Sequence, residues 1–397
     1  PNEELTAARP FLTTPIYSLQ KAAGAQFGAA YGLEVPLWYA PKGIKDEFSW
    51  RRSNDFEYVA SECKAVRNSV GLGDISGFAK YTVTGPGARE WLDKILAAKI
   101  PPVGRMTLAP MLKEDGGVIG DFSLATLDED RFFIIGSGVA ESYHMRWFLS
   151  HLPDNGSVNL LSHKLGLVGL TLAGPNARQV LQACTQEDIS HTAFKFMAVR
   201  EIDIGMVPAI VGRVSFTGDL GYEIWVRPEH QVCLYEQFME AGKEYNISLF
   251  GSRALNALRL EKNFGTWARE YRPIYGPVAT GLERFVAYDK ESEFIGRTGA
   301  LAERKNGGEM RLRSFVVTAK DADVIGDEPI SLKGKVVGWV TSGGFAHASG
   351  VSVAQGYVPK AVADEVEGWE IEVLDQQLPS TLLVQPLFDA NSGRMRS

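Results

Sequence analysis

Lys113-Glu-Asp-Gly-Gly-Val-Ile-Gly-Asp-Phe-Ser-Leu-Ala125 decides how the chain is read, because it delivers one carboxylate onto a strand just after a tight turn. Asp115-Gly116 followed by Gly117 is a turn signal: glycine takes the positive φ angles that tight turns require, and the run after it has the length and composition of a strand. Side chains alternate along a strand. Val118, Gly120, Phe122 and Leu124 therefore share one face, and Ile119, Asp121, Ser123 and Ala125 the other. An aspartate among small residues either looks into a cavity or is a solvated residue on a wet face, and this stretch alone leaves both open.

Outward from this hairpin the chain repeats itself. Tyr81-Thr-Val-Thr-Gly-Pro-Gly-Ala-Arg-Glu-Trp-Leu-Asp-Lys-Ile-Leu96 matches Leu170-Thr-Leu-Ala-Gly-Pro-Asn-Ala-Arg-Gln-Val-Leu-Gln-Ala-Cys-Thr185 in register. Each reads as a strand, a Gly-Pro turn and an amphipathic helix, with proline near the first helical turn, where its missing N–H costs nothing. This predicts two related halves with a ligand between them, or else one common strand-to-helix device used twice. Between the echoes, Arg131–Ile135 is a second strand followed by Gly136-Ser-Gly138, which fails as a dinucleotide loop because position 141 is glutamate. Gly85-Pro-Gly87 fails likewise at Glu90, so no flavin or nicotinamide dinucleotide fold is expected in this chain.

Further along, Val207–Val226 holds two strands, and Glu223 falls opposite Ile224 and Val226. Helices are expected at 18–24, at 54–70 with Asn54 as N-cap, at 232–245 and at 252–261 with Ser252 as a capping candidate. The last carries Arg253, Asn256 and Arg259 at helical spacing. Arg253 sits in the first turn, where a cation is mildly disfavoured unless it holds an anion. Ala302–Glu309 is polar and glycine-containing and marks the boundary between a region 1–306 and a domain 307–397. That domain is all-β, a small barrel or Greek-key sheet, with strands expected at 312–318, 335–341, 350–358, 369–373 and 381–384.

Composition bounds the function. With 397 residues, 45% hydrophobic and 22% charged, the chain is globular and large enough for two or three domains. No apolar run is long enough to span a bilayer. Pro1-Asn-Glu-Glu-Leu5 has neither the basic start nor the apolar segment of a signal- or transit-peptide pattern, and without an initiator methionine the expectation is either trimming or a piece of something longer. A net charge of −7 argues against a general nucleic-acid binder. Three scattered cysteines fit reduced thiols in a cytosol or mitochondrial matrix, and six histidines without ligand spacing make a metal site unexpected.

Several motifs in order resemble the aminomethyltransferase (T-protein) family of the glycine cleavage system. They are Thr14-Pro-Ile-Tyr17, Gly116-Gly-Val-Ile-Gly-Asp121, Phe216-Thr-Gly-Asp-Leu-Gly-Tyr-Glu223, Gly251-Ser-Arg253 with Leu258-Arg-Leu-Glu261, Phe294-Ile-Gly-Arg297 and Thr341-Ser-Gly-Gly344. Pro1-Asn-Glu-Glu-Leu5, Phe27–Glu34, Arg51-Arg-Ser-Asn54, Asp74–Phe78 and Tyr143-His-Met-Arg-Trp147 are similar to the C-terminal folate half of dimethylglycine and sarcosine dehydrogenases. In those enzymes a flavin domain precedes this region.

The resemblance implies an α+β fold: an aminomethyltransferase-like folate-binding unit of two related α/β halves, followed by a C-terminal β-barrel domain. It also implies tetrahydrofolate as cofactor, with methylene capture from an oxidised methylated amine such as dimethylglycine or sarcosine. Asp121 matches the family's catalytic aspartate, a carboxylate that orients folate N10 and accepts its proton. Glu223 and Arg253 match the family's ligand-contacting glutamate and arginine, with Tyr222 beside Glu223 also expected at the cofactor. Leu108 falls where the T-protein branch has an aromatic pterin contact, and the family's C-terminal arginine corresponds to Arg394 or Arg396. The expected partners are folate, a small methylated donor and a flavin-containing dehydrogenase domain or subunit, with no nucleic acid and no membrane. The expected location is cytoplasmic, or the mitochondrial matrix in a eukaryote. Two alternatives stay open: a folate-dependent demethylase of S- or O-methyl groups, and a non-catalytic folate-binding scaffold. A hydrolase finds no GxSxG elbow.

Overall fold

The computed structural model describes residues 4–397; Pro1, Asn2 and Glu3, which open the dehydrogenase-like N-terminal motif, lie outside the described residues. The chain begins with α1 (Tyr17–Ala22), a hairpin of β1 (Ala25–Ala30) and β2 (Leu33–Tyr39), and α2 (Phe56–Asn68). The hairpin turns at Tyr31 and Gly32, both at positive φ. Asp55, not Asn54, precedes α2 as N-cap. Asn54 instead accepts from the Glu47 N–H and donates to the Lys45 carbonyl, tying down the loop before the helix.

Two runs of elements then follow in the same order. The first is β3 (Gly71–Asp74), β4 (Ala79–Thr84), α3 (Ala88–Ile95), β5 (Arg105–Leu112), β6 (Val118–Asp128), β7 (Arg131–Gly136) and α4 (Glu141–Ser150). The second is β8 (Asn159–Ser162), β9 (Val168–Ala173), α5 (Ala177–Ala183), β10 (Val199–Ile204), β11 (Val207–Gly212), β12 (Gly221–Val226) and α6 (Gln231–Ala241). The echo in sequence is therefore a repeat of the whole half. Its turns are alike in detail: Gly85 and Gly174 have φ of +115° and +127°, and a Cβ on either would come within 2.5 Å of a backbone carbonyl oxygen. Only glycine fits both demands.

The sheets run β5-β6-β7-β4-β8 and β10-β11-β12-β9-β3-β13, where β13 is Ser248–Leu249. Each half thus lends its first strand to the other's sheet: β3 pairs with β9, and β8 with β4. The helices cover the outer faces. In one half Trp91, Leu92 and Phe148 pack on Phe122, Leu124 and Ile134; in the other, Val180, Leu181, Leu234 and Phe238 pack on Leu172, Tyr222 and Ile224. The inner faces meet through a smaller apolar layer that includes Met106, Ala125, Phe133, Ile135 and Trp225.

After α7 (Ser252–Glu261), α8 (Pro277–Thr280) and α9 (Arg297–Asn306), six strands close a barrel in the order β14-β17-β16-β15-β18-β19. They are β14 (Met310–Val317), β15 (Pro329–Leu332), β16 (Lys335–Ala346), β17 (Val351–Pro359), β18 (Trp369–Val373) and β19 (Gln376–Leu382), and α10 (Gly393–Arg396) ends the chain. The expected strand list lacked β15, a four-residue segment opened by proline. It also started β19 too late, because Leu374 and Asp375 turn at positive φ without glycine. No helix of the described residues is long and apolar enough to cross a membrane.

Candidate functional site

The hairpin forms as its glycines require. Gly116 has a φ of +91°, the Asp115 carboxylate accepts from the Gly117 N–H, and β5 and β6 pair antiparallel through the Met106↔Ala125, Leu108↔Ser123 and Pro110↔Asp121 pairs. Paired residues share a face, so Asp121, Ser123 and Ala125 face the same way as Leu108 and Met106. Met106 and Ala125 belong to the inter-sheet layer. Asp121 therefore stands at the edge of the space between the two sheets. One departure from strict alternation occurs just before it. The ladder shifts register between Met111 and Leu112, and Ile119 joins the outer cluster with Phe122 and Leu124.

Glu223 lies on the inner face of the other half's sheet. It pairs with Thr171 on β9 and Gly212 on β11, and its strand-mate Trp225, two residues on, lies in the inter-sheet layer. A Cβ on Gly212 would meet Met106 of the opposite sheet at 2.8 Å, so the two inner faces touch beside Glu223. Alternation sends Tyr222 the opposite way, into the outer core against Phe194. Tyr222 thus does not join Glu223 at the site.

The two carboxyls are poorly satisfied by the chain. Both are half-buried. Burial pushes Asp121 up to about 8, reinforced by the nearby Glu270 charge and opposed only by a hydrogen bond from its own backbone N–H. Burial alone pushes Glu223 up to about 7. Neither accepts a hydrogen bond from another side chain among the described residues. Two acceptors held in this condition call for N–H donors from outside the chain.

Around Asp121 the wall is aromatic. Leu108 packs with Trp267 and the buried Tyr271, whose hydroxyl accepts from the Gly265 N–H and senses the Asp121 charge. Glu270, fully buried, binds the barrel to this wall: it accepts from Thr266, from Thr341 and Ser342 of β16, and from Arg259.

Arg259 also faces a cleft of about 480 Å³ between the body and the barrel, together with Arg253 and Asn256 of the same helix, Arg52, Arg269 and Phe345. The expected spacing of Arg253, Asn256 and Arg259 is thus one cleft-lining helical face. Ser252 does not cap α7; Gly251 does, its N–H held by the buried Glu62 carboxylate of α2. Arg253 already has anions from this chain: it donates to Asp46 at 2.7 Å and Asp55 at 2.8 Å. Arg269 is exposed and has no carboxylate partner among the described residues. Arg394 lies elsewhere, donating to buried Asp219 and the Arg67 carbonyl and so tying the C-terminal tail to the body. Arg396 is exposed on the same short helix.

The structure therefore puts Asp121 and Leu108 on the inner face of one sheet and Glu223 on the inner face of the other, lines the cleft between body and barrel with Arg253, and leaves Tyr222 and Arg394 apart. Sequence reading missed Glu270 and Arg269, which sit in the irregular Thr266–Tyr271 stretch where no periodicity singles them out. Among the described residues no group of side chains could hold a metal ion.

With this geometry in place, comparison with known proteins is direct. Residues 16–290 match the GCVT N-terminal domain, and residues 311–389 match the glycine cleavage T-protein C-terminal barrel domain. The chain is 35% identical to mitochondrial dimethylglycine dehydrogenase of Mus musculus, over 100% of this chain and 46% of that protein. It is 26% identical to the aminomethyltransferase of Halothermothrix orenii, over 94% of this chain and 99% of that one. The crystal structure of glycine cleavage system aminomethyltransferase T from Bartonella henselae has the same fold, with a TM-score of 0.82 at 24% identity, covering 96% of this chain and 99% of that one. The chain spans about half the length of the dehydrogenase relatives it matches. On the two domain matches together, the chain belongs to the glycine cleavage T-protein (aminomethyltransferase) family.

Proposed function

We propose that this chain is a tetrahydrofolate-dependent one-carbon transferase that captures a methylene unit from an oxidised methylated amine, dimethylglycine or sarcosine, to give 5,10-methylenetetrahydrofolate. The observation that carries this reading is the pair of half-buried carboxyls, Asp121 and Glu223, on the inner faces of the two opposed sheets and without side-chain donors. A reduced pterin is complementary to this pair in hydrogen bonding, since its edge offers amino and ring N–H donors to the two acceptors. When bound, tetrahydrofolate supplies the two amine nitrogens that take up the one-carbon unit.

The residues divide the remaining work. Glu223 accepts ring N–H donors and fixes orientation. Asp121, whose pKa burial raises, loses its proton to solvent at its exposed edge once N–H donors arrive beside it. The resulting carboxylate then orients the reacting amine and takes its proton. Leu108, Trp267 and Tyr271 exclude water, which strengthens each charge in the site. In the cleft, Arg269 and Arg253 meet the carboxylates of the glutamyl tail, Arg269 the more readily because Asp46 and Asp55 already occupy Arg253. An Asp121 without a side-chain partner and with a raised pKa favours transfer over a folate-binding scaffold, which has no use for a proton acceptor at that position. The one-carbon unit would come from a flavin-containing dehydrogenase domain or subunit, in the cytoplasm or, in a eukaryote, the mitochondrial matrix.

Calorimetric titration of the purified chain with tetrahydrofolate tests this. Glu223→Ala should weaken binding about tenfold to a hundredfold, the worth of a charge-assisted hydrogen bond. Absence of binding by the parent chain, or equal affinity in Glu223→Ala, would overturn the reading.

A further inference from the structure

The strand that carries Asp121 outruns its neighbour. β6 pairs with β7 only from Ser123↔Ile135 onward, so Val118–Phe122 has no strand partner on that edge. On the other edge Leu112 pairs with Val118 and Met111 with Gly120, so Ile119 is bulged out with no residue opposite. A buried backbone carbonyl in that position needs a donor. His144 of α4 supplies it: Nε2 lies 2.7 Å from the Ile119 oxygen. The imidazole is fully buried, packed against Phe122 with ring centroids 4.7 Å apart and against Trp267 at 5.3 Å.

The protonation state follows from these contacts. A carbonyl only accepts, so Nε2 carries the hydrogen. Nδ1 is buried and has no partner among the described residues, so a second proton there would be an unmet donor and a buried charge. Burial accordingly pushes His144 down to about 4. Gly120, between the pinned carbonyl and the carboxylate, admits no side chain: a Cβ would stand 2.4 Å from the Phe122 ring. The stretch leading to Asp121 is therefore held along one edge by the β5 ladder, through Met111↔Gly120 and Pro110↔Asp121, while at the Ile119 bulge, where that ladder is interrupted, the hold comes from His144.

We propose that His144 is a positioning residue for Asp121: its Nε2–H holds the bulged Ile119 carbonyl two residues upstream and thereby sets where the carboxylate stands between the sheets. This rests on the catalytic reading of Asp121. His144 touches neither substrate nor reacting atoms; it takes the place of the strand that β7 fails to provide.

The test compares His144→Phe, which keeps a ring but no donor, with His144→Gln, whose amide N–H can reach the same carbonyl. Methylene capture by tetrahydrofolate from a flavin amine oxidase acting on dimethylglycine gives kcat and KM. Amide hydrogen exchange at Gly120 and Asp121, and ¹⁵N imidazole spectra of the parent chain, are read without any ligand. His144→Phe should lower kcat at least about tenfold, since misplacement by about 1 Å costs up to about a hundredfold. KM for tetrahydrofolate should stay within about threefold, because Glu223 is untouched, and exchange at Asp121 should quicken. His144→Gln should restore most of kcat. The parent spectrum should show one neutral tautomer, protonated at Nε2, from pH 5 to 8.

An unchanged kcat in a merely less stable His144→Phe would overturn the proposal. So would a His144→Gln indistinguishable from His144→Phe, or an imidazole that titrates between pH 5 and 8. Failure of the parent chain to bind tetrahydrofolate would sink the proposed function instead, and the exchange and spectral measurements would still decide whether His144 holds the Asp121 strand.

Discussion

Replacing Asp121 by asparagine should make the protein more stable, and increasingly so as pH rises. Burial raises the carboxyl to about 8 from an unfolded value of about 4. The folded chain therefore holds this proton more tightly than the unfolded chain does. That contribution to stability is complete below about pH 4 and is lost as pH climbs through about 8. For a fully dry carboxyl the slope is about 1.4 kcal/mol per pH unit, or about 4 kcal/mol between pH 5 and 8. Asp121 keeps part of its surface in contact with solvent, so about half of that, about 2 kcal/mol, is the reasonable expectation. Asparagine has the same shape and no titration, so it escapes the loss. Glu223 has a slope of the same sign, but it is common to both proteins and cancels in the difference. At about 2 °C per kcal/mol for a chain of this size, Tm of Asp121→Asn should exceed that of the parent by roughly 4 °C more at pH 8 than at pH 5. Scanning calorimetry at matched scan rates measures this. A difference that does not change with pH would mean that Asp121 is already ionised throughout, and the argument from an unsatisfied carboxyl would fail.

Other substitutions separate the site from its surroundings. Tyr222→Phe should leave tetrahydrofolate affinity unchanged and stability within about 0.5 kcal/mol, because the hydroxyl faces the outer core and is buried without a partner among the described residues; a large loss of affinity would return Tyr222 to the site. Glu270→Gln should cost about 3 kcal/mol in thermal unfolding, as expected when one member of a buried ion pair is removed, and should lower the pKa of Asp121 by removing a neighbouring negative charge. Carboxyl titration followed by ¹³C NMR reads the second effect, and an unmoved Asp121 would contradict it. Arg394→Ala should cost about 1–2 kcal/mol, with Asp219 still paired to Arg67, and should not change folate affinity in the calorimeter.

How much of this was legible beforehand depends on which interactions are local. The Asp121 hairpin is written in consecutive residues: turn glycines, then alternation. The Gly-Pro turns of the two halves are equally local, and Glu223 was placed on the correct side of its strand by alternation alone. The same rule, applied to Tyr222, points it away from Glu223, which its adjacency in the family motif conceals. The partners of Arg253 were out of reach because Asp46 and Asp55 lie in and beside an irregular loop whose course no periodicity predicts. The role of Glu270 depends on Thr341 and Ser342, some seventy positions away on the barrel. His144 left one faint local trace: it stands four residues before Phe148 on the buried side of α4, where a histidine needs a partner. The bulge that supplies the partner is a matter of strand register, set by the whole sheet.

The exchange of β3 and β8 between the halves has a consequence for how the protein can be made. During synthesis, Gly71–Asp74 emerges early but has no edge to join until Val168–Ala173 follows, and the first sheet stays unfinished until Asn159–Ser162 arrives. Neither half can reach its final form before most of the other has left the ribosome, so the nascent chain spends that interval with open sheet edges exposed to chaperones or to other chains. A gene cut between the halves would yield two pieces, each missing a strand and each carrying a spare one that fits the other piece. Such fragments should be insoluble when expressed singly and should recover by complementation when co-expressed.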